Sequence, residues 1–269
     1  MNKLQLKNIP VKFDEEGHVY TNTETGELLT GVTTILEAKS RDFLHFWTVK
    51  EAVRFLGWFD PEETDPKEGV KILKQKFAKL KKLTPKEYYK ILDEARLAWS
   101  KKSKNALNKG TIIHNWLKEY IAGNNPKIPE DKEVLSSINA FLNFEKQHHV
   151  EWLASELMVA SLTHKFAGTL DFIAKIDGIL TLGDFKTSNQ MSEDYDLQLA
   201  GYMIALKEML KEGEGVPSQR MIIRISKNGG DFEIHICDPS LLQFDCETFL
   251  HLRQIHKWMV YHENRKNNI

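Results

Sequence analysis

The sequence predicts an α/β fold, a mixed sheet packed between helices, preceded by an N-terminal β-hairpin and a basic helical arm. Three observations predict it. From Trp152 the chain reads WLASELMVAS, FAGTLDFIAKI and GILTLGDFKTS, three apolar runs of strand length with short connections. A helix-period segment, YDLQLAGYMIALKEML, then leads to two more strand-like runs, RMIIRIS and FEIHICD. A hairpin pair joined through a helical crossover to later strands makes the sheet mixed.

The elements follow in order. The first 36 residues read as β, because FDEEGHVYTNTETGELLTGVTTIL alternates short β-branched runs with the turn signals EEG and TETG, and a hairpin is expected. From about Asp42 to Ala122 the apolar spacing is helical, broken at Asp60-Pro61, Asp65-Pro66 and Thr84-Pro85, each fitting a helix start with Pro in the first turn. In KGTIIHNWLKEYIAGNN, residues Ile113, Trp116, Leu117, Tyr120 and Ile121 form an apolar stripe that Gly123 ends. His114 is placed near that helix's start, beside Gly110. A helix is expected over about Asp131 to His149, and Asp177-Gly178 is a strong hairpin turn between two of the later strands. Leu199, Met203, Leu206 and Leu210 give the crossover helix its core stripe. KNGG joins the last two strands, and a long helix closes the chain from about Ser240 to Glu263. Residues 1–269 read as one domain, with the hairpin and basic arm in 1–106 and an α/β core in 107–269.

Composition narrows the function classes. The 269 residues are 41% hydrophobic, enough for a full core, and no apolar run approaches the roughly 18 residues of a membrane span. MNKLQLKNIPVKF lacks the apolar segment of a signal peptide, so a cytoplasmic location is expected by default. Two cysteines, Cys237 and Cys246, are too few for a four-thiolate metal centre or a disulfide scaffold. The net charge of -1 conceals an uneven distribution. Between Lys67 and Lys109 there are 14 Lys/Arg against 4 acids, a balance of +10, so the rest of the chain carries -11. Such a segment suits a polyanion partner, and a solvated helical face reads equally well from charge alone.

Within Gly168 to Ser188 two strand-like runs carry Asp171, Asp184 and Lys186 where a buried strand would carry apolar side chains. Side chains alternate along a strand, so Asp184 and Lys186 share one face and Phe185 points to the other, into the core. Carboxylates on adjacent strands about 4.8 Å apart can share a cation, and hard oxygen ligands of this kind suit Mg²⁺ or Mn²⁺. The acid-x-Lys triplet alone carries little, since it occurs four times, and an edge strand with charges facing water explains it as well. Only Asp184-Phe185-Lys186 lies in an apolar strand and follows another strand-borne Asp 13 residues earlier.

The series His114 in GTIIHNWL, Glu156 in SELMVAS, Asp171 in GTLD, Asp184 and Lys186 in GDFKTS, and Gln198 with Tyr202 in QLAGY resembles the PD-(D/E)XK nuclease superfamily, in particular its RecB-like exonuclease branch. GVTTIL near the N-terminus resembles a segment that often precedes this series in phage-type members. The motifs run from Gly110 to Tyr202, about a third of the chain, and the rest matches by order of elements. Leu170 stands where the superfamily's name has Pro, a common departure.

The resemblance implies a restriction-endonuclease-like core and metal-dependent hydrolysis of DNA phosphodiesters, as an exonuclease of the recombination and repair type. It implies catalytic roles for Asp171, Asp184 and Lys186, and Mg²⁺ or Mn²⁺ held by His114, Asp171, Asp184 and the Phe185 carbonyl. Glu156, Gln198 and Tyr202 would support the site, the last two near the DNA backbone. Lys101, Lys102, Lys104 and Lys109 of the basic arm would contact phosphates without reading sequence. Trp99, Trp116, Tyr88 and Tyr89 could stack on bases, although burial is the commoner role for such aromatics. A recombination partner protein fits the same picture. Two alternatives stand beside it: a non-catalytic DNA-binding subunit that keeps the fold, and a hydrolase of another substrate using Asp171 and Asp184 as an acid–base pair.

Overall fold

The computed structural model describes residues 4–39, 42–188, 190–226 and 231–267. Three short strands open it, β1 (Val11–Asp14), β2 (Val19–Asn22) and β3 (Leu28–Gly31), paired antiparallel in succession. The expected hairpin thus gains a third strand. The β reading fails at the next residues, because Val32–Leu36 form a helix, α1. Val32, Ile35 and Leu36 stand at i, i+3 and i+4 and are all buried with Leu199, Met203 and Leu206. That packing overrides the β preference of VTTIL.

The chain divides into two compact units, one made of residues 1–39 and 111–269, the other of residues 40–110. The second unit holds α2 (Asp42–Leu56), α3 (Pro66–Leu80), α4 (Pro85–Arg96) and the first half of α5 (Ala98–Ile121). Its helix starts follow the sequence signals. Asp65 accepts from the Lys67 and Glu68 amides with Pro66 following it, and Thr84 and Glu87 form a capping box around Pro85. α5 corrects one expectation, since it begins at Ala98, so Gly110 is interior and His114 lies in the helix's second half. KKSKNALNK is rich enough in helix-forming Lys, Ala and Leu to carry the helix through one glycine.

In the first unit, α6 (Lys132–Gln147), capped by Asp131, precedes β4 (Val150–Ser161), β5 (Phe166–Ile176) and β6 (Ile179–Lys186). Then come α7 (Asp194–Met209), β7 (Gln219–Ile225), β8 (Phe232–Ile236), a 3-10 turn over Pro239–Leu241, and α8 (Leu242–Asn267). The KNGG turn lies outside the described residues. Asp177 and Gly178, with φ of 50° and 85°, make the tight turn expected between β5 and β6.

Among the described residues eight strands form one mixed sheet in the order β1-β2-β3-β5-β6-β7-β8, with β4 antiparallel to β5. β3 joins β5 in parallel, and β6 joins β7 in parallel across the α7 crossover. One buried cluster lines the sheet beneath α1, α7 and α8, and includes Leu182, Leu199, Met203, Ile222 and Phe249. Another, with Ile113, Trp116, Phe141, Phe144, Phe172 and Phe185, lies beneath α5 and α6. No helix among the described residues is long and apolar enough to cross a membrane.

Candidate active site

Strand register places the two aspartates face to face. β5 and β6 pair as far as Phe172 with Gly183, so one step further Asp171 stands against Asp184. β3 takes up the same edge of β5 only at Phe166 and Ala167, which leaves that edge open from Gly168 to Asp171. In the opening the Phe185 amide donates to Asp171 Oδ2 at 2.7 Å instead of to a strand carbonyl. On an extended strand the N–H and C=O of one residue point to the same side, so the Phe185 carbonyl also faces this edge.

Two other elements reach the opening. His114, on α5, brings Nδ1 to 3.4 Å from Asp171 Oδ2. Glu156 on β4 is flanked by the pairs Ser155–Phe172 and Leu157–Leu170, and so lies across from Asp171 on its other side. Its φ of 49° is in the left-handed region, which a non-glycine strand residue adopts only at a cost. One ligand atom from each of His114, Glu156 and Asp171 lies within 4.8 Å of the others.

Asp184 and Lys186 lie on the α7 side of the sheet, with Phe185 buried on the other. Lys186 Nζ is in ion-pair contact with Asp184 Oδ2 and donates to Gln198 Oε1 at 3.0 Å. Gln198 Nε2 is within 3.2 Å of Asp184 Oδ1 and 3.0 Å of the Tyr202 hydroxyl. The single amide therefore bridges Lys186, Asp184 and Tyr202. The Tyr195 ring lies 5.0 Å from Lys186 Nζ, and its hydroxyl donates to Ser188 Oγ at 2.9 Å. Sequence reasoning missed Tyr195. The signal was available in its spacing, since Tyr195, Gln198 and Tyr202 stand at i, i+3 and i+7 on one face of α7.

Burial raises the Asp184 carboxyl, and the neighbouring Asp171 charge raises it further, to about 6 against the opposing pull of Lys186. Burial acts in the same direction on Asp171, but His114, Lys186 and the Phe185 amide outweigh it and hold that carboxyl below its usual range. Burial draws His114 down, and Asp171 and Asp184 more than reverse this, to about 9. Glu156 is raised, by burial and then by Asp171. Two buried carboxylates opposed across a strand pair thus share too little positive charge for both to ionise freely.

These residues fit a hard divalent cation. Asp184 Oδ2 is buried and, beyond its ion pair with Lys186, has no hydrogen-bond partner among the described residues, and the converging donors are carboxylate oxygens and an imidazole nitrogen. His114, Glu156 and Asp171 converge directly, whereas Asp184 is engaged by Lys186 and Gln198.

The expected DNA-contacting lysines lie in the other unit. Lys101, Lys102 and Lys104 are exposed on α5, with Lys102 paired to Glu51 at 2.8 Å, and Lys109 is half-buried. Of the aromatics, Trp116 is buried, while Tyr88, Tyr89 and Trp99 are exposed.

Residues 130–262 match the family model described as the PD-(D/E)XK nuclease superfamily. No curated protein matches the chain. Among solved structures it is similar to an alkaline exonuclease (LHK-Exo) from Laribacter hongkongensis, at 11% identity and a TM-score of 0.29 over 58% of this chain and 85% of that one. The complex of LHK-Exo with dAMP gives the same values. A protein named SSO0001 is matched over 46% of this chain and 62% of its own, at 16% identity and a TM-score of 0.25. The family match spans α6 through most of α8, just under half of the chain, and takes in the aspartates, lysine and glutamine of the open sheet edge.

Proposed function

We propose that this nuclease is a Mg²⁺- or Mn²⁺-dependent DNA exonuclease that acts in recombination or repair, of the phage type. The observation that carries the proposal is the meeting, at the open edge of β5, of the His114, Glu156 and Asp171 donors with the Asp184–Lys186–Gln198 chain. His114, Asp171, Asp184 and the Phe185 carbonyl hold the cation, with Glu156 in support. Bound there, the ion supplies Lewis-acid polarisation of the scissile phosphate and a lowered pKa for a water.

The protein's own groups do the rest. Lys186, kept charged and aimed by Asp184, Gln198 and the Tyr195 ring, orients the attacking water or stabilises charge gathering on the phosphate oxygens. The water oxygen attacks phosphorus and gives up a proton to solvent, the bond to the leaving oxygen breaks, and that oxygen takes up a proton from solvent. Gln198 and Tyr202 keep this geometry from the α7 side and lie near the DNA backbone. Residues 1–269 act as one nuclease, in which Lys101, Lys102, Lys104 and Lys109 hold the strand through phosphates.

The test is digestion of end-labelled linear and closed circular DNA with Mg²⁺ or Mn²⁺, with Lys186→Ala as control. Metal-dependent loss of linear DNA by wild type only is expected. Intact single- and double-stranded substrates across metals and pH would sink the proposal.

A further inference from the structure

Outside the nuclease site, three donor side chains of different chemistry converge at the start of α7. Asp196 Oδ1 is 2.6 Å from His235 Nε2 on β8 and 3.3 Å from the Sγ of Cys237, the residue that follows β8. One ligand atom from each lies within 4.8 Å of the others. The Cys237 side chain is the floor, at 1% exposure, and Asp196 and His235, at 27% and 40%, form an open mouth.

A Cys, a His and an Asp in contact could suggest a nucleophile, but the order of contacts is wrong. Thiol and imidazole both point at the carboxylate and not at each other, and burial, with Asp196 beside it, pushes the Cys237 thiol up to about 12. Convergence on one point is what a metal ion requires. The ~3.3–3.6 Å between ligands of a tetrahedral centre with Zn–N and Zn–S bonds of ~2.0 and ~2.3 Å matches the Asp196–Cys237 separation. The shorter His235 contact opens by rotation of a half-exposed ring.

We propose that Asp196, His235 and Cys237 form a second metal site, selective for a zinc-class ion, with solvent as the fourth ligand. A thiolate with an imidazole favours Zn²⁺ or Co²⁺ over the hard Mg²⁺ that suits the all-nitrogen-and-oxygen donors at Asp171. Binding expels the thiol proton, and the two resulting anionic ligands neutralise the ion. The nearby Arg220 guanidinium donates to the Asp196 backbone carbonyl at 3.1 Å, and its charge is offset by the pair with Asp245 at 2.7 Å. An occupied site ties β8 to α7 two residues before Gln198, and so braces the helix that presents this amide to Lys186. The inference is independent of the nuclease's substrate.

Titration of reduced full-length protein with Co²⁺ tests it, because a thiolate–cobalt bond gives a charge-transfer absorption that the sulfur-free donors around Asp171 cannot. One equivalent is expected in wild type and in Cys246→Ser. The absorption should vanish in Cys237→Ser and appear only at ten-fold or higher Co²⁺ in His235→Ala, whose exposed side chain can be removed without emptying the core. The proposal is overturned if wild type gives no such absorption at millimolar Co²⁺, or if it survives unchanged in either variant.

Discussion

Gly183 immediately precedes Asp184 on β6, and a methyl group there has nowhere to go. A Cβ would stand 2.1 Å from Cζ and 2.6 Å from Cε2 of Phe172, and 2.7 Å from the Met221 carbonyl oxygen. The ring cannot swing aside, since Phe172 is fully buried between Trp152 and Phe185, at centroid distances of 5.3 and 4.8 Å. The carbonyl belongs to β7, the parallel partner that pairs Met221 with Gly183. Gly183→Ala is therefore expected at the upper end of overpacking costs, about 3 kcal/mol. With a urea m-value of about 2 kcal/mol/M, the midpoint falls by about 1.5 M, read by near-ultraviolet circular dichroism of the aromatic cluster. Phe172→Leu should not rescue the variant, because the Met221 carbonyl remains. A Gly183→Ala protein within about 0.5 kcal/mol of wild type would refute this account of the strand pair.

Three further outcomes are expected. Gln198→Ala removes the one amide that links Lys186, Asp184 and Tyr202, and should lower nuclease turnover about 10–100-fold with the fold intact by circular dichroism. Lys101→Gln with Lys104→Gln should weaken DNA binding uniformly across sequences and reduce the slope of log K against log salt by about 2, measured by fluorescence anisotropy. Glu208 is raised by burial, but Ser161 Oγ and the amides and hydroxyl of Leu162 and Thr163 outweigh this and hold its carboxyl below the usual range. Its folded pKa being depressed, that stabilisation is complete above the unfolded value of about 4.3 and is lost as pH falls through the folded one, so Glu208→Gln should flatten the acid limb of a stability–pH profile.

The legible parts of the fold were those encoded locally. Asp177-Gly178 defines a two-residue turn, and counting back from it along both strands brings Asp171 to Asp184 before any tertiary contact is known. Gln198 and Tyr202 are one helical turn apart, so their common face follows from the period. What could not be read depends on distant pairing. The β-branched VTTIL became a helix because α7 offers it a buried face, and no residue within the segment announces that partner. The parallel join of β3 to β5, which opens the sheet edge at Asp171, unites residues far apart in the chain. The left-handed Glu156 breaks the preferences of its own residue type. Asp196, His235 and Cys237 meet only because β7 carries β8 to the start of α7.

The bond from the Phe185 amide to Asp171 makes that proton a native spectroscopic reporter. It is held by a side-chain carboxylate and not by a strand carbonyl, so its resonance answers to whatever else the carboxylate engages. In isotope-labelled protein carrying Lys186→Ala, each cation, nucleotide or DNA end offered to the site can be ranked by its effect on one amide signal, with no turnover needed to see it.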